Sequence, residues 1–453
     1  MPIITLKDMY SASLHNSRDI FVYLPPSYEK EDGRHYPVLY VHDGQHMFAG
    51  DERGDSWDLH LTAEGLISLG VMEEIIIVAV SSVTHQRVSE YFHDNPGVKD
   101  IFHAECKGEA YEEFLISEVM PRIDRDFRTR TGPEHTALLG SSAGALVSYH
   151  IGFHRPDRFG KIGLMSPFLV HTLVNEQGEA GGKPPVSQMN MYRRYEEKPP
   201  VSVWLDIGGV EGTFMVSQVR QFADELIELG FQPGKDLMFL VDEAAAHTQS
   251  AWRQRAACPL LYFFGDLGQP VSLELPGRKE IVLEEKGFHL HPKAQYTSGF
   301  QMTLLHARYQ AEPPEMLEVK SDGAVIPLQQ GAAQVRIHYG GITESFSVEI
   351  AAGHTELVEV EVTVTVPPST IRDDSIHCGF EIPRGGEGLY HGRYLLPRDL
   401  YFQVKISKGF GVHEKADSYR EFNTCEPRRL HFQVEEWEHE QSSIFGSSAG
   451  DYS

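Results

Sequence analysis

Cysteine is scarce in this chain: Cys106, Cys258, Cys378 and Cys425 are the only four among 453 residues, and no two form a C-x-x-C pair. That spacing argues against a zinc knuckle or a dithiol redox motif. Free thiols in a reducing compartment are expected, with a Cys378–Cys425 bridge as the alternative. Long apolar runs are also missing, since no stretch reaches the roughly 18 consecutive apolar residues that a membrane-crossing helix requires. The opening segment, MPIITLKDMY, has no basic stretch ahead of an apolar one, so no secretory leader and a cytoplasmic location are expected. Basic residues are outnumbered, 40 against 65 acidic, for a formal charge of −25. A surface of that sign repels polyanions, which disfavours nucleic acid and anionic membrane as partners.

What the chain does have is apolar content, 41% of its residues, enough for a substantial core. At this length about two to four domains are expected. Over residues 1–268 apolar runs of strand type alternate with helical periods, which predicts an α/β domain with a mostly parallel sheet. Its buried strands are Pro37 to Val41, Ile75 to Val80, Thr136 to Leu139, Lys161 to Ser166, Val201 to Ile207 and Leu237 to Val241. Helical spacing is read over Tyr111–Ile123, Met215–Leu229 and Trp252–Phe264. Residues 170–200, with Gly181-Gly182-Lys183-Pro184-Pro185, read as a cover over the site or an insertion.

After Gly265 to Pro270 the texture changes to short β runs between turn clusters. Two all-β sandwich domains are expected, over 271–352 and 355–440, with a disordered tail over 441–453. Val335 to Tyr339 and Ser345 to Ile350 flank Gly340-Gly341, a hairpin signature. Val358 to Val366 alternates strictly, as a half-buried strand does.

The stretch Leu139-Gly140-Ser141-Ser142-Ala143-Gly144 lies where a strand ends and a helix begins, and it contains G-x-S-x-G. A serine on such a turn projects its hydroxyl above the sheet, and the N–H of Ala143 is available to stabilise an oxyanion. A second oxyanion donor is expected from Gly44 or Gln45, in the His42-Asp43-Gly44-Gln45 turn after a central strand. Serine is a poor nucleophile unless a base takes its proton and a carboxylate orients that base. On this architecture the three follow in the order serine, acid, histidine. Ser142, Glu211 and His247 satisfy that order, each just past a strand. Asp206 is the rival acid, but it lies within its strand.

These residues resemble the putative-esterase family of α/β-hydrolases, which includes enterochelin esterases, feruloyl esterase domains and S-formylglutathione hydrolase. The matching pieces are Val22 to Tyr28, Tyr40 to Gln45, Gly140 to Gly144, Arg155 to Gly160 with Ser166-Pro167, and His247 followed by Trp252. The resemblance implies Ser142 as nucleophile and His247 as base. The family's acid lies in G-T-x-[D/E], here Gly208-Gly209-Val210-Glu211, with glycine in place of threonine. More loosely, 271–352 is similar to a bacterial immunoglobulin-like domain and 355–440 to a starch-binding-type sandwich, in which Tyr390, Tyr394 or Phe410 would be the sugar-stacking rings.

The resulting expectation is a serine esterase acting on small-molecule or saccharide esters through an acyl-enzyme, with no metal or organic cofactor. The β-domains are an expected route to a homo-oligomer. The alternatives are a thioesterase of the S-formylglutathione hydrolase kind and a non-catalytic scaffold that binds glycan or protein.

Overall fold

The computed structural model describes the chain apart from residues 1–2, 50–55, 96–97, 100–103, 175–185, 210, 212–213, 244, 246, 278, 284–286, 353–356, 371–375, 379, 399–400, 409–411, 417 and 438–453. The Gly181 to Pro185 stretch, Phe410 and the tail read in the sequence lie outside the described residues. The described residues divide into two compact units. One comprises Met1–Val170, Asn190–Gly209 and Met215–His354; the other His171–Met189, Val210–Phe214 and Thr355–Ser453.

An eight-stranded sheet organises the first unit. Its strands are β1 (Ile3–Ser11), β2 (Asn16–Tyr23), β3 (Val38–His42), β4 (Ile76–Val80), β5 (Thr136–Ser141) and β6 (Lys161–Met165), joined further on by β9 (Ser202–Gly208) and β10 (Leu237–Asp242). A separate two-stranded ribbon is made by β7 (Val170–Val174) and β8 (Val186–Asn190). The sheet order is β1-β2-β4-β3-β5-β6-β9-β10. The first two strands are antiparallel to their neighbours, and every pair from β4 to β10 is parallel. Strands β3, β4 and β5 are buried along their whole length, which is why they read as unbroken apolar runs.

The helices are α1 (Leu59–Ser68), α2 (Arg87–Tyr91), α3 (Gly108–Glu113), α4 (Met120–Asp126), α5 (Ala143–His154), α6 (Met215–Glu228), α7 (Gln249–Arg255) and α8 (Ala257–Phe264). The single helix expected over Tyr111–Ile123 is interrupted by a wide turn at Phe114–Val119, just before Pro121. Proline has no N–H for the regular helical bond, and a local change of winding accommodates it.

The first β block shares a hydrophobic core with this sheet. Trp204 of β9 packs edge-on against Phe300 with ring centroids 5.8 Å apart. The N–H of Val241 in β10 donates to Thr303 Oγ1 at 2.9 Å. Leu273, Ile281, Met302, Val335 and Ile350 join Met238, Leu240 and Leu260 in one apolar cluster. The Gly340-Gly341 hairpin forms as the sequence predicts, with Tyr339 facing Ile342. Both glycines take positive φ, 56° and 85°, as this two-residue turn demands.

In the second unit a four-stranded sheet is built around Leu357–Thr365, paired with Leu389–Pro397 and Arg428–Gln433. The alternation read over 358–366 is real: Val358, Val360, Val362, Val364 and Val366 are all buried. Phe402 stacks on Phe422 at 4.3 Å between centroids. Tyr390 and Tyr394 are 4% and 0% exposed, so these rings belong to the core and present no face for sugar stacking. None of the four cysteines forms a disulfide.

Candidate active site

The turn after β5 is held in a conformation that few residues adopt. Ser142 has φ 57° and ψ −123°. Such backbone strain costs on the order of 1–3 kcal/mol and persists only when its surroundings enforce it. Here the enforcement is visible. The Ser142 N–H donates to Met165 O at 3.0 Å, while its carbonyl accepts from Ala145 and Leu146 of α5 and from Phe168. Gly140 is obligatory, since a Cβ there would lie 2.3 Å from the Gly144 carbonyl oxygen. Ala143 is the first residue of α5, so its N–H has no carbonyl partner within the helix and lies at the positive end of the helix dipole.

A second tight turn lies beside the first. Asp43 is left-handed, φ 55°, and leads into a short 3₁₀ turn over Gly44–His46. A side chain at Gly44 would meet Ala79 backbone atoms at 2.5 Å, so only glycine lets this turn sit against β4. The Gln45 side chain is tied to Ser82 by two hydrogen bonds, of 2.9 and 3.1 Å. A Cβ on Gly144 would be 3.3 Å from Asp43 Oδ2, which places this turn against the start of α5.

Asp43 is the anchor of that turn. Arg87 of α2 grips its carboxylate with Nε at 2.7 Å and a second guanidinium nitrogen at 2.8 Å. Burial would raise the Asp43 carboxyl, but the Arg87 charge and hydrogen bond outweigh it and hold the group below the usual carboxylate range. Tyr91 O–H reaches the same carboxylate at 3.3 Å. His42, 1% exposed, contacts the Tyr111 hydroxyl through Nδ1 at 2.9 Å, and burial drives its pKa down to about 3. It is therefore a neutral packing histidine. The grip of Arg87 and Tyr91 on Asp43 spans 44 and 48 residues and has no local signature in the sequence.

His247 lies in the loop after β10, half-buried, with its ring edge-on to Trp252 at 4.9 Å between centroids. Trp252 Nε1 donates to Ser166 Oγ at 2.9 Å. Ser166 follows Met165, whose carbonyl holds the Ser142 N–H. One short chain of contacts thus runs from the His247 loop to the serine turn. The β9 and β10 loops are also joined: the Gly209 N–H donates to Asp242 O at 2.7 Å, and a Cβ on Gly209 would lie 2.5 Å from the Glu243 carbonyl oxygen. Glu211 lies two residues further along and is half-buried.

Asp206, the rival acid, is buried among polar partners. It is 0% exposed, and its Oδ1 accepts from Arg255 at 3.0 Å and from the Ser166 N–H at 3.3 Å. Its Oδ2 accepts from Trp204 Nε1 at 2.7 Å. Arg255 also donates to Ser166 Oγ at 2.7 Å. Sequence reasoning missed Arg255, which reads as an ordinary residue of an amphipathic helix. Among the described residues no helix is long and apolar enough to cross a membrane.

The family model described as "Putative esterase" matches residues 11–255. The uncharacterised protein YbbA of Bacillus subtilis is 22% identical over 268 residues, 57% of this chain and 98% of its own length. An endo-1,4-beta-xylanase/feruloyl esterase of Xylanibacter ruminicola is 29% identical over 164 residues, 35% of this chain but 20% of that protein. Among solved structures, the enterobactin esterase FES from Shigella flexneri superposes with a TM-score of 0.43 at 14% identity, covering 58% of each chain. The family match spans more than half of the chain, including both glycine turns, the serine between β5 and α5, and the loop of His247: this protein belongs to the "Putative esterase" family and is a carboxylic ester hydrolase.

Proposed function

We propose that the chain is a serine esterase that cleaves carboxylic esters through an acyl-enzyme. Ser142 Oγ attacks the ester carbonyl while the His247 imidazole takes its proton. The N–H groups of Ala143 and of Gly44 or Gln45 bind the oxyanion, and losing one such donor costs on the order of 10²–10³ in rate. The imidazolium then returns its proton to the departing alcohol, and water repeats the sequence to release the acid. Glu211 orients the imidazole. Asp206 is the weaker candidate, because its carboxylate neutralises the buried Arg255.

The observation that carries this reading is the strained backbone of Ser142, clamped between β6 and α5 by hydrogen bonds from both sides. A serine in an ordinary loop has no reason to be held this way. The substrate class we favour is a small or saccharide-linked ester; the similarity to a protein named as a feruloyl esterase supports including hydroxycinnamoyl sugars.

The test is covalent labelling of the full chain with a fluorophosphonate, beside turnover of p-nitrophenyl acetate, for the wild type and Ser142→Ala. Labelling and turnover are both lost in the variant if the reading holds. Ordinary turnover by Ser142→Ala overturns it. A panel of acetylated and feruloylated saccharides, with matched acyl thioesters, then ranks the substrates and separates a thioesterase from an oxygen esterase.

A further inference from the structure

Helix α5 begins at the nucleophile and ends, about 18 Å away, in a cluster of side chains that ester hydrolysis does not use. His154, the last residue of α5, places Nδ1 3.3 Å from Glu112 Oε2 of α3. His93, between α2 and α3, places Nε2 3.4 Å from the same oxygen. The three ligand-type atoms all lie within 4.8 Å of one another. His150, one turn before His154, stacks on His93 with centroids 4.6 Å apart.

Two features distinguish this cluster from a set of ion pairs. The first is spacing. Charge-assisted N–H···O bonds close to about 2.7–2.9 Å, yet both contacts to Glu112 are longer. Ligands bound tetrahedrally to a zinc ion by arms of about 2.0–2.1 Å stand roughly 3.3–3.4 Å apart, which matches both separations. The second is burial. The side chains of His93 and Glu112 are 6% and 14% exposed, so a bound cation would meet a carboxylate largely withdrawn from water, where an uncompensated charge is costly.

We propose that His93 Nε2, Glu112 Oε2 and His154 Nδ1 bind a divalent transition-metal ion, with zinc the best fit. Two imidazoles and one carboxylate suit zinc, whereas magnesium and calcium prefer oxygen ligands. His154 is 30% exposed at its side chain, so water completes the coordination from the open side. The negative end of the α5 dipole also favours a cation here. The ion's role is structural: it ties the last turn of the nucleophile helix to the segment leading from α2, whose Arg87 anchors Asp43.

The test uses the full-length protein, stripped with a chelator and then equilibrated with zinc. With 23 histidines in the chain, the informative quantity is a difference. Wild type should retain about one equivalent more than His154→Ala or Glu112→Gln, and near saturation its melting temperature should rise by roughly 5 °C or more. Neither variant should show the rise, and cobalt substitution should give tetrahedral visible bands in the wild type alone. Both variants alter partly exposed side chains, and their circular dichroism in the stripped state verifies folding. Ser142→Ala should bind zinc as the wild type does, which separates this site from the ester chemistry. Equal zinc content in wild type and variants, or no retained zinc in any of them, overturns the proposal.

Discussion

Replacing the two candidate acids, one at a time, separates charge that supports the fold from charge that supports the reaction. Arg255 and Asp206 form an ion pair whose side chains are 1% and 0% exposed. Asp206→Asn keeps the shape but leaves the guanidinium buried without its counter-charge, and breaking such a pair costs about 3–5 kcal/mol. For a unit of this size each kcal/mol shifts the melting temperature by about 2–4 °C, so the variant should melt on the order of 10 °C lower. Glu211→Gln changes a half-buried side chain and should melt much closer to the wild type than Asp206→Asn does. Its turnover should collapse instead, by roughly 10⁴-fold, the effect of neutralising the acid in serine hydrolases generally. The assay is kcat on p-nitrophenyl acetate beside a thermal melt of each protein. Should Asp206→Asn melt normally while losing turnover, and Glu211→Gln stay active, the assignment reverses and the buried pair is not what stabilises the β6–β9 edge.

Three further outcomes follow from the geometry. Gly140→Ala drives a methyl group to 2.3 Å from the Gly144 carbonyl, so the start of α5 must move; kcat should fall by about 100-fold or more. Gly144→Ala, whose new methyl would have the Asp43 carboxylate at 3.3 Å as its nearest neighbour beyond the helix itself, should cost less, and the two compared in one assay check the steric argument. His42 stays neutral in the folded protein because burial lowers its pKa from 6.5 to about 3. The unfolded chain takes up a proton there first, so stability falls as pH drops through that window. His42→Asn should reduce the slope of stability against pH by about 1.4 kcal/mol per unit between about pH 6 and about pH 4, read from urea melts. Truncation after Leu267 should yield an aggregating, dye-binding chain, because Trp204, Met238 and Leu240 share their core with Phe300 and Met302; a soluble fragment with wild-type turnover contradicts the shared core.

Local pattern carried much of the architecture into view. Unbroken apolar runs identify β3, β4 and β5 because both faces of those strands are covered. The paired glycines at 340 and 341 announce a turn because few other residues tolerate two positive φ angles in succession. G-x-S-x-G marks the serine turn because Gly140 answers a steric requirement four residues away. What sequence conceals is convergence across long separations. Arg87 and Asp43 lie 44 residues apart, and Asp206 and Arg255 lie 49 apart. His93, Glu112 and His154 are individually unremarkable histidines and a glutamate near helix ends, and only the packing of α3 against the end of α5 brings them together. The texture change near residue 270 is equally local; it conveys nothing about β10 leaning on Thr303.

That lean has a consequence for how the protein is made. The segment bearing the nucleophile leaves the ribosome long before Thr303 and Ile350, which close the underside of β9 and β10. At about 5–20 residues per second, translation from the end of β10 at Asp242 to Ile350 takes on the order of five to twenty seconds. Throughout that interval the apolar flank of β9 and β10 stays uncovered, until the Gly340-Gly341 hairpin arrives.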